Sequence, residues 1–378
     1  MKFRIARSTF MEAVSQVSKA VSQKTTIPIL TGIKITADES GLTLTGSNSD
    51  LTIQVFIKKR KDDKEQVLVD KIGNVVLPGK IFGDIIRKLP GEEVEVEVGE
   101  RFLTSIRSQQ SQFQLKGLDA DEYPHLPELH DDQMFSFPAD LLKTMIRQTG
   151  FAAATSEARG ILTGVLWQLS EGNLTFVATD SHRLSKRNAQ VESPAELTLS
   201  NVVVPGKSMT ELAKILADQE GWVDVIVSEN QILLKAGTIL FFSRLLEGNY
   251  PDTNRVIPSG GKTEVTAATK ELLHSVERAA LISRDGRDNV IKWTIKENGS
   301  IQVQSDDKEI GSVSEEVPAT VTGEEMTIAF NAYYMMESLR TIESDSIRIL
   351  CTGMMTPFLI QPADRDDALH LIVPIRTR

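Results

Sequence analysis

Four side chains that can do chemistry fall together in the stretch ATDSHRLSKR, residues 178–187: the carboxylate of Asp180, the hydroxyl of Ser181, the imidazole of His182 and the guanidinium of Arg183. Such a set suits nucleophilic or general acid–base catalysis, in which a carboxylate orients an imidazole and the imidazole takes a proton from a hydroxyl or thiol. Spacing decides against the full set. In an extended segment alternate side chains face opposite ways, so Asp180 and His182 share one face and Ser181 takes the other. Asp180 can brace His182, but no serine or cysteine is placed to be activated. Two readings remain: a multidomain hydrolase built on Asp180 and His182, or a turn after a strand over 174–178, with Asp180 accepting from backbone N–H groups.

Other candidates are weaker. PGKS at 205–208 resembles the end of a phosphate-binding GxxxxGK[ST] loop, but that pattern needs glycine where Asn201 stands. A second Pro-Gly-Lys, at 78–80, lies at a like strand–helix junction without the hydroxyl. Both therefore read as a turn and a helix start. His125, His130, His182, His274 and His370 form no HExxH and none pairs with cysteine at ligand spacing. The DRDD at 364–367 lacks the glycine and terminal glutamate of a calcium loop and reads as a solvated loop. No GxSxG occurs. Cys351, the single cysteine, sits in the apolar run 347–360 and reads as a buried small residue. One cysteine makes no internal disulfide, which fits a reducing cytosol. Neither a metal nor a cofactor is expected.

The elements that must hold these residues recur along the chain. FRIARSTFMEAVSQVSKAV from Phe3, FSFPADLLKTMIRQTGFAA from Phe135 and TEVTAATKELLHSVERAAL from Thr263 each read as a short strand and then an amphipathic helix. Leu141, Leu142, Met145 and Ile146 fall at helix spacing, as do Leu272, Leu273, Val276 and Ala279 with Ala280. A hairpin follows each helix, turning at Gly41, at Gly172-Asn173 and at Asn298-Gly299. A second strand–helix unit comes next, VVLPGKIF, VVVPGKSM or MTIAFNAY, and further strands close each copy. Phe3 and Phe135 stand 132 residues apart, Asp140 and Glu271 131. A period this long is domain repetition. The fold class expected is α+β, three tandem similar domains over 1–127, 128–254 and 255–378.

Net charge is −10, distributed as +1, −6 and −5 over the three segments. Total charge alone argues against tight, sequence-blind binding to a polyanion. The six helices nevertheless carry bases on their polar faces: Lys19, then Lys80, Arg87 and Lys88, then Arg147, then Lys207 and Lys214, then Arg278 with Arg284 and Arg287 after it, then Arg340. Six equivalent helices can put those faces on one shared surface that is basic within an acidic protein. Aromatic interleaving is sparse, so contact would be to phosphates. No run of about 18 apolar residues reads as a membrane span, and the MKFRIARSTF start lacks the apolar region of a signal peptide.

MKFRI, TTIPILTGIKI, LTGSNSDL, ATDSHRLS, VPGKSMTEL, LEGNYPDTNRVIP, IAFNAYYM and the C-terminal VPIR, in that order, resemble the bacterial DNA polymerase III beta subunit family, the replicative sliding clamps, over essentially the whole chain. The resemblance implies a head-to-tail homodimer closed into a ring, with helices lining a central hole for duplex DNA and sheets outside. It implies a processivity factor with no catalytic activity of its own, loaded by an ATP-using clamp loader, cytoplasmic and nucleoid-associated, with no membrane contact. A second alternative is a scaffold that never encircles DNA.

By the same resemblance Lys24, Arg159 and Lys207 contact DNA, although Gly160 and Ile161 stand where other members have aromatic residues. The dimer interface maps to Phe113 and Leu115 facing Leu281 and Ile282 of a second copy; all four read equally as core. A peptide-binding pocket between the second and third domains maps to Leu162, Gly164, Thr179, Ser181, His182, Arg183, Leu184, Pro251, Arg255, Val256, Asn331, Tyr334, Met355, Pro357, Val373, Pro374, Ile375 and Arg376. Members differ at Ser181 and Pro357. Apolar walls for a partner's Leu and Phe, with polar groups for its backbone, suit such a pocket. Its implied partners are the replicative polymerase alpha subunit, the clamp loader delta subunit, repair polymerases and mismatch-repair proteins.

Overall fold

The computed structural model describes residues 1–22, 25–61, 64–124, 134–217, 219–283 and 289–377. Each sequence copy folds through the same order of principal elements. In the first, strand Lys2–Ala6 leads into α1 (Arg7–Ser18), a meander of Gly32–Ala37, Gly41–Ser47 and Leu51–Lys58, strand Gly73–Pro78, α2 (Gly79–Lys88), and three strands ending in Ser111–Lys116. The second runs Met134–Pro138, α3 (Ala139–Thr149), the meander Gly164–Ser170, Asn173–Thr179 and Arg183–Gln190, then Leu199–Pro205, α4 (Gly206–Leu216) and three strands ending in Ile239–Arg244. The third runs Thr263–Ala268, α5 (Thr269–Ile282), the meander Val290–Lys296, Ser300–Asp307 and Gly311–Gly323, then Met326–Asn331, α6 (Ala332–Thr341) and three strands ending in Ala368–Ile372. The α+β, threefold design is as the repeats imply.

Each meander has a third strand where the repeat pattern suggests only a hairpin. The reason lies in its pairing. Arg183–Gln190 carries Ser185, Lys186, Arg187 and Asn188 and shows no apolar alternation, yet it is hydrogen-bonded on both sides. A doubly paired strand is held by its ladders, so its side chains need not advertise it.

These third strands join one copy to the next. Leu51–Lys58 pairs antiparallel with Ile239–Arg244, Leu51 opposite Ser243 and Val55 opposite Ile239. Arg183–Gln190 pairs likewise with Ala368–Ile372, Arg183 opposite Ile372 and Arg187 opposite Ala368. The last strand of a copy thus completes the sheet of the copy before it. The described residues accordingly group into two compact units, Met1–Asp140 with Glu211–Leu245, and Leu141–Thr210 with Leu246–Arg378. An eight-stranded sheet lies in the first unit and a twelve-stranded one in the second.

Helix periodicity sets the cores. Phe10, Ala13, Val14 and Val17 make the buried stripe of α1. Phe10 meets Phe3 and Phe82 edge-on at centroid distances of 5.6 and 5.7 Å. In the second unit Leu272, Val276 and Ala279 of α5 bury against a cluster around Trp293, Phe330 and Phe358. Leu142, Met145 and Ile146 are buried on α3, while Leu141 is only half-buried. Cys351 is fully buried, and loss of solvent pushes its thiol up to about 12, so it is no nucleophile. Among the described residues no helix is long and apolar enough to cross a membrane, and no cluster of His, Cys, Asp and Glu could hold a metal ion.

Candidate functional site

The chemistry-bearing stretch forms the turn between strands Asn173–Thr179 and Arg183–Gln190. Asp180 Oδ1 accepts hydrogen bonds from the backbone N–H groups of His182 (2.9 Å) and Arg183 (3.1 Å). Thr179 Oγ1 accepts from the Ser181 N–H (3.1 Å) and donates to the Arg183 carbonyl (2.6 Å). Asp180 Oδ2 faces Arg183 Nε at 3.0 Å. Both carboxylate oxygens are therefore engaged by the main chain and Arg183, and the His182 ring lies instead against Tyr334, centroids 6.5 Å apart and planes 20° from parallel. Asp180 orients a backbone turn, as the second of the two readings holds, and the hydrolase reading loses the carboxylate that would orient His182.

Arg183 is 8 % exposed, and every edge of its guanidinium is occupied. Nε meets Asp180, Nη1 pairs with Glu337, and Nη2 donates to the Phe151 carbonyl at 2.6 Å. The guanidinium also lies 4.5 Å from the Tyr334 ring centroid and 5.4 Å from that of Phe151. Two carboxylates and two ring faces compensate a charge that burial would otherwise penalise heavily. Tyr334 and Glu337 are one turn apart on α6, so Arg183 fastens the turn to that helix.

A polar layer underlies this strut. His370 is 1 % exposed, with Nδ1 2.7 Å from Ser185 Oγ and Nε2 3.3 Å from Thr341 Oγ1, and Phe151 lies against its ring at 5.6 Å. Burial pushes its imidazole down to about 3, so it is neutral in the folded protein. Tyr250 forms a second brace: its hydroxyl accepts from the Thr179 N–H (3.1 Å) and reaches the Gly164 carbonyl (3.5 Å). Burial raises the Tyr250 phenol, keeping it protonated. Gly164 leaves room for its neighbours: a Cβ there would stand 2.6 Å from the Val203 side chain and 2.8 Å from that of Leu246, and both would have to shift.

Around these braces the remaining pocket residues gather in part. Leu162, Leu184 and Val373 belong to one apolar cluster with Leu166, Val177 and Tyr250. The Val373 N–H donates to the His182 carbonyl (2.9 Å) and the Ile375 N–H to that of Ala329 (2.7 Å), which carries the C-terminal segment, with Pro374 buried in it, past the turn. Asn331 caps α6, its Oδ1 accepting from the N–H groups of Tyr333 (2.8 Å) and Tyr334 (3.3 Å). Val256 and Met355 are about half exposed, at 51 % and 52 %. Ser181, Pro251, Arg255 and Arg376 are exposed, and Arg255 pairs with Asp252 at 2.9 Å. Met355 and Pro357 lie on the turn before strand Phe358–Pro362, which pairs with Ala368–Ile372.

The residues mapped to DNA and to the dimer interface are dispersed, with Arg159 alone among those described bonded to the turn. Lys24 lies outside the described residues, as do His125, His130, Arg284 and Arg287. Lys207 opens α4 and its ammonium pairs with Glu157 at 2.7 Å, so PGKS is a helix start. Arg159 is exposed, and its Nη2 donates to the Asp180 carbonyl (2.7 Å) and to Ser181 Oγ (2.6 Å). Phe113 and Leu281 are 42 % and 60 % exposed, which excludes the core reading for both, while Leu115 and Ile282 are half-buried.

Three successive segments match the N-terminal, central and C-terminal domain models of the DNA polymerase III beta subunit, at residues 1–127, 136–252 and 254–376. The chain belongs to the DNA polymerase III beta subunit family. The Beta sliding clamp of Bacillus subtilis is 49 % identical over 378 residues, with the whole of both chains covered. The crystal structure of the DNA polymerase sliding clamp from Bacillus subtilis superposes with a TM-score of 0.97 at 48 % identity, again over all of both chains. That of a Pseudomonas aeruginosa sliding clamp bound to griselimycin gives 0.92 at 27 %, also over both whole chains. The residues that sequence reasoning missed are braces: Phe151, Tyr250, Glu337 and His370. Tyr250 stands inside LEGNYPDTNRVIP and could have been singled out there. Glu337 carries no local signal, since its partner lies 154 positions away.

Proposed function

We propose that the chain works as a ring-shaped DNA sliding clamp, a non-catalytic processivity factor formed by two copies joined head to tail around duplex DNA. The pairing rule of the sheets carries this reading. The last strand of the second and of the third copy pairs with the third meander strand of the copy before it. Of the last strands and third meander strands, two keep an unpaired edge among the described residues: Ser111–Lys116, terminal in its five-stranded sheet, and Gly311–Pro318, paired on one side only. Applied once more, the rule pairs these two edges between copies, and the contact closes after two subunits. Exposed Phe113 lies on the first edge, and exposed Leu281 on α5, which packs against the second. Leu115 and Ile282 complete that interface.

Domain limits at 127/128 and 254/255 follow from the repeat. Retention is topological, which suits a chain of net charge −10 that must let DNA slide; Lys24, Arg159 and Lys207 make the phosphate contacts. The site at Thr179–Leu184 takes a short peptide. Its apolar side is Leu162, Gly164, Leu184, Val256, Met355, Pro357, Val373, Pro374 and Ile375, and its polar side includes Ser181, His182, Arg255, Asn331, Tyr334 and Arg376. Its users are the polymerase alpha subunit, the clamp loader delta subunit, repair polymerases and mismatch-repair proteins, in the cytoplasm at the nucleoid.

The test is retention on DNA. Protein loaded onto nicked circular DNA should elute with it and be released on linearisation; retention on linear DNA with free ends overturns the ring. The particle should have twice the 41.8 kDa chain mass, and Phe113→Asp should halve it by placing a charge in the seam.

A further inference from the structure

Arg159 stands between the two ligands of the proposed function. It lies on the segment Glu157–Thr163, which also carries Leu162 of the apolar peptide wall. Its Nη2 reaches across to the turn and donates to the Asp180 carbonyl at 2.7 Å and to Ser181 Oγ at 2.6 Å. Ser181 holds φ +78°, a left-handed conformation that a serine adopts uncommonly and that needs support from its surroundings. A residue assigned to DNA is thus bonded to acceptors at the rim of the site assigned to peptide.

We propose that this bond couples the two sites, so that duplex DNA and peptide each strengthen the other's binding. The inference rests on the function proposed above. In the empty protein Nη2 of Arg159 donates to two neutral acceptors. A DNA phosphate is a charged acceptor and makes the stronger bond, so it draws Arg159 away. The Asp180 carbonyl and the Ser181 hydroxyl are then open to a peptide's backbone N–H groups, which an extended ligand must satisfy. The reverse holds as well: a peptide that takes those acceptors leaves Arg159 for phosphate. Both ligands break the same internal bond, and the second to arrive finds it already broken. Such coupling is positive and reciprocal. The bond is exposed, so its effect sits at the low end of the usual range, about fivefold.

The experiment measures fluorescence anisotropy of a fluorescein-labelled short peptide ending in Leu-Phe on the full chain, with and without a saturating short blunt duplex at low salt, and of labelled duplex with and without peptide. In the unsubstituted protein each ligand should lower the other's Kd about fivefold. In Arg159→Ala the peptide should bind the DNA-free protein as tightly as it binds the unsubstituted protein on DNA, with a coupling ratio of one. Ser181→Gly removes the hydroxyl and relieves the backbone; the ratio should fall toward one with no loss of duplex affinity. A ratio of one in the unsubstituted protein, with both probes bound, overturns the coupling and leaves the clamp function standing. An unchanged ratio in Arg159→Ala overturns it equally. Failure of both probes to bind overturns the function itself and the coupling with it.

Discussion

The turn at 179–184 and its counterpart at 47–52 share one construction. Asn48 Oδ1 accepts from the N–H groups of Asp50 (3.1 Å) and Leu51 (2.9 Å), as Asp180 does from His182 and Arg183. Ser47 and Thr179 each accept from the N–H two residues on, and Ser49 and Ser181 take φ of +80° and +78°. The third copy repeats the plan at Asp307, whose Oδ1 accepts from Glu309 and Ile310. The copies part at the residues the turn carries. Arg183 stands where the first copy has buried Leu51 and the third has exposed Ile310. The turn is therefore a requirement of the sheet, and only what hangs from it distinguishes the second copy. A cluster that looks catalytic in sequence is turn chemistry with a buried arginine added.

The largest expected effect comes from removing that addition. Arg183→Ala leaves Asp180 and Glu337 unpaired and Tyr334 without its guanidinium; thermal unfolding should show a loss of about 3 kcal/mol, and peptide binding should disappear. Leu51→Ala, the matching change in the first copy, should cost stability through its cavity and leave peptide binding intact.

A second asymmetry is the buried His370. Its folded pKa is depressed below the ordinary value near 6.5, so the stability it confers is complete above that pH and is lost on acidification through the window down to about 3. Between pH 7 and pH 5 the loss should be about 2 kcal/mol, read as a falling Tm. His370→Gln should flatten that fall, and an unaltered slope would remove His370 as its cause.

The shared turn gives a sharper test. Asn48→Ala removes one acceptor of two backbone N–H groups and should cost about 1 kcal/mol; Asp180→Ala removes the same acceptor and also a carboxylate of buried Arg183, and should cost more. Only Asp180→Ala should weaken peptide binding; equal effects of the two on peptide would erase the distinction between copies. The smallest effect concerns Glu157, whose carboxyl is held below the usual range by its hydrogen bond to the Lys207 ammonium. Glu157→Gln should raise duplex affinity about twofold by removing a negative charge that competes with phosphate for Lys207.

What is legible in the sequence is what repeats locally. Helix stripes such as Leu272, Val276 and Ala279, the Pro-Gly-Lys helix starts and the turning role of Asp180 all depend on neighbours a few residues away. The third meander strands are not legible, because Arg183–Gln190 is held by ladders to distant strands rather than by its own pattern. For the same reason the sequence assigns Arg183 to the site without showing what it holds there, since Glu337 and Phe151 reach it only through the fold. Arg159 is assigned to DNA by its place in a motif, and its bonds to the rim of the turn come from backbone geometry that no motif records.

The strand ladders between copies also carry a mechanical consequence for the proposed ring. A seam inside one chain, such as Arg183–Gln190 against Ala368–Ile372, is backed by a covalent connection, so strands that part stay tethered at high local concentration and rejoin at once. A seam between chains has no such tether. Pulled on evenly, the proposed ring therefore yields where Ser111–Lys116 meets a second molecule, and a gate for DNA follows from the missing tether, without any hinge built for the purpose.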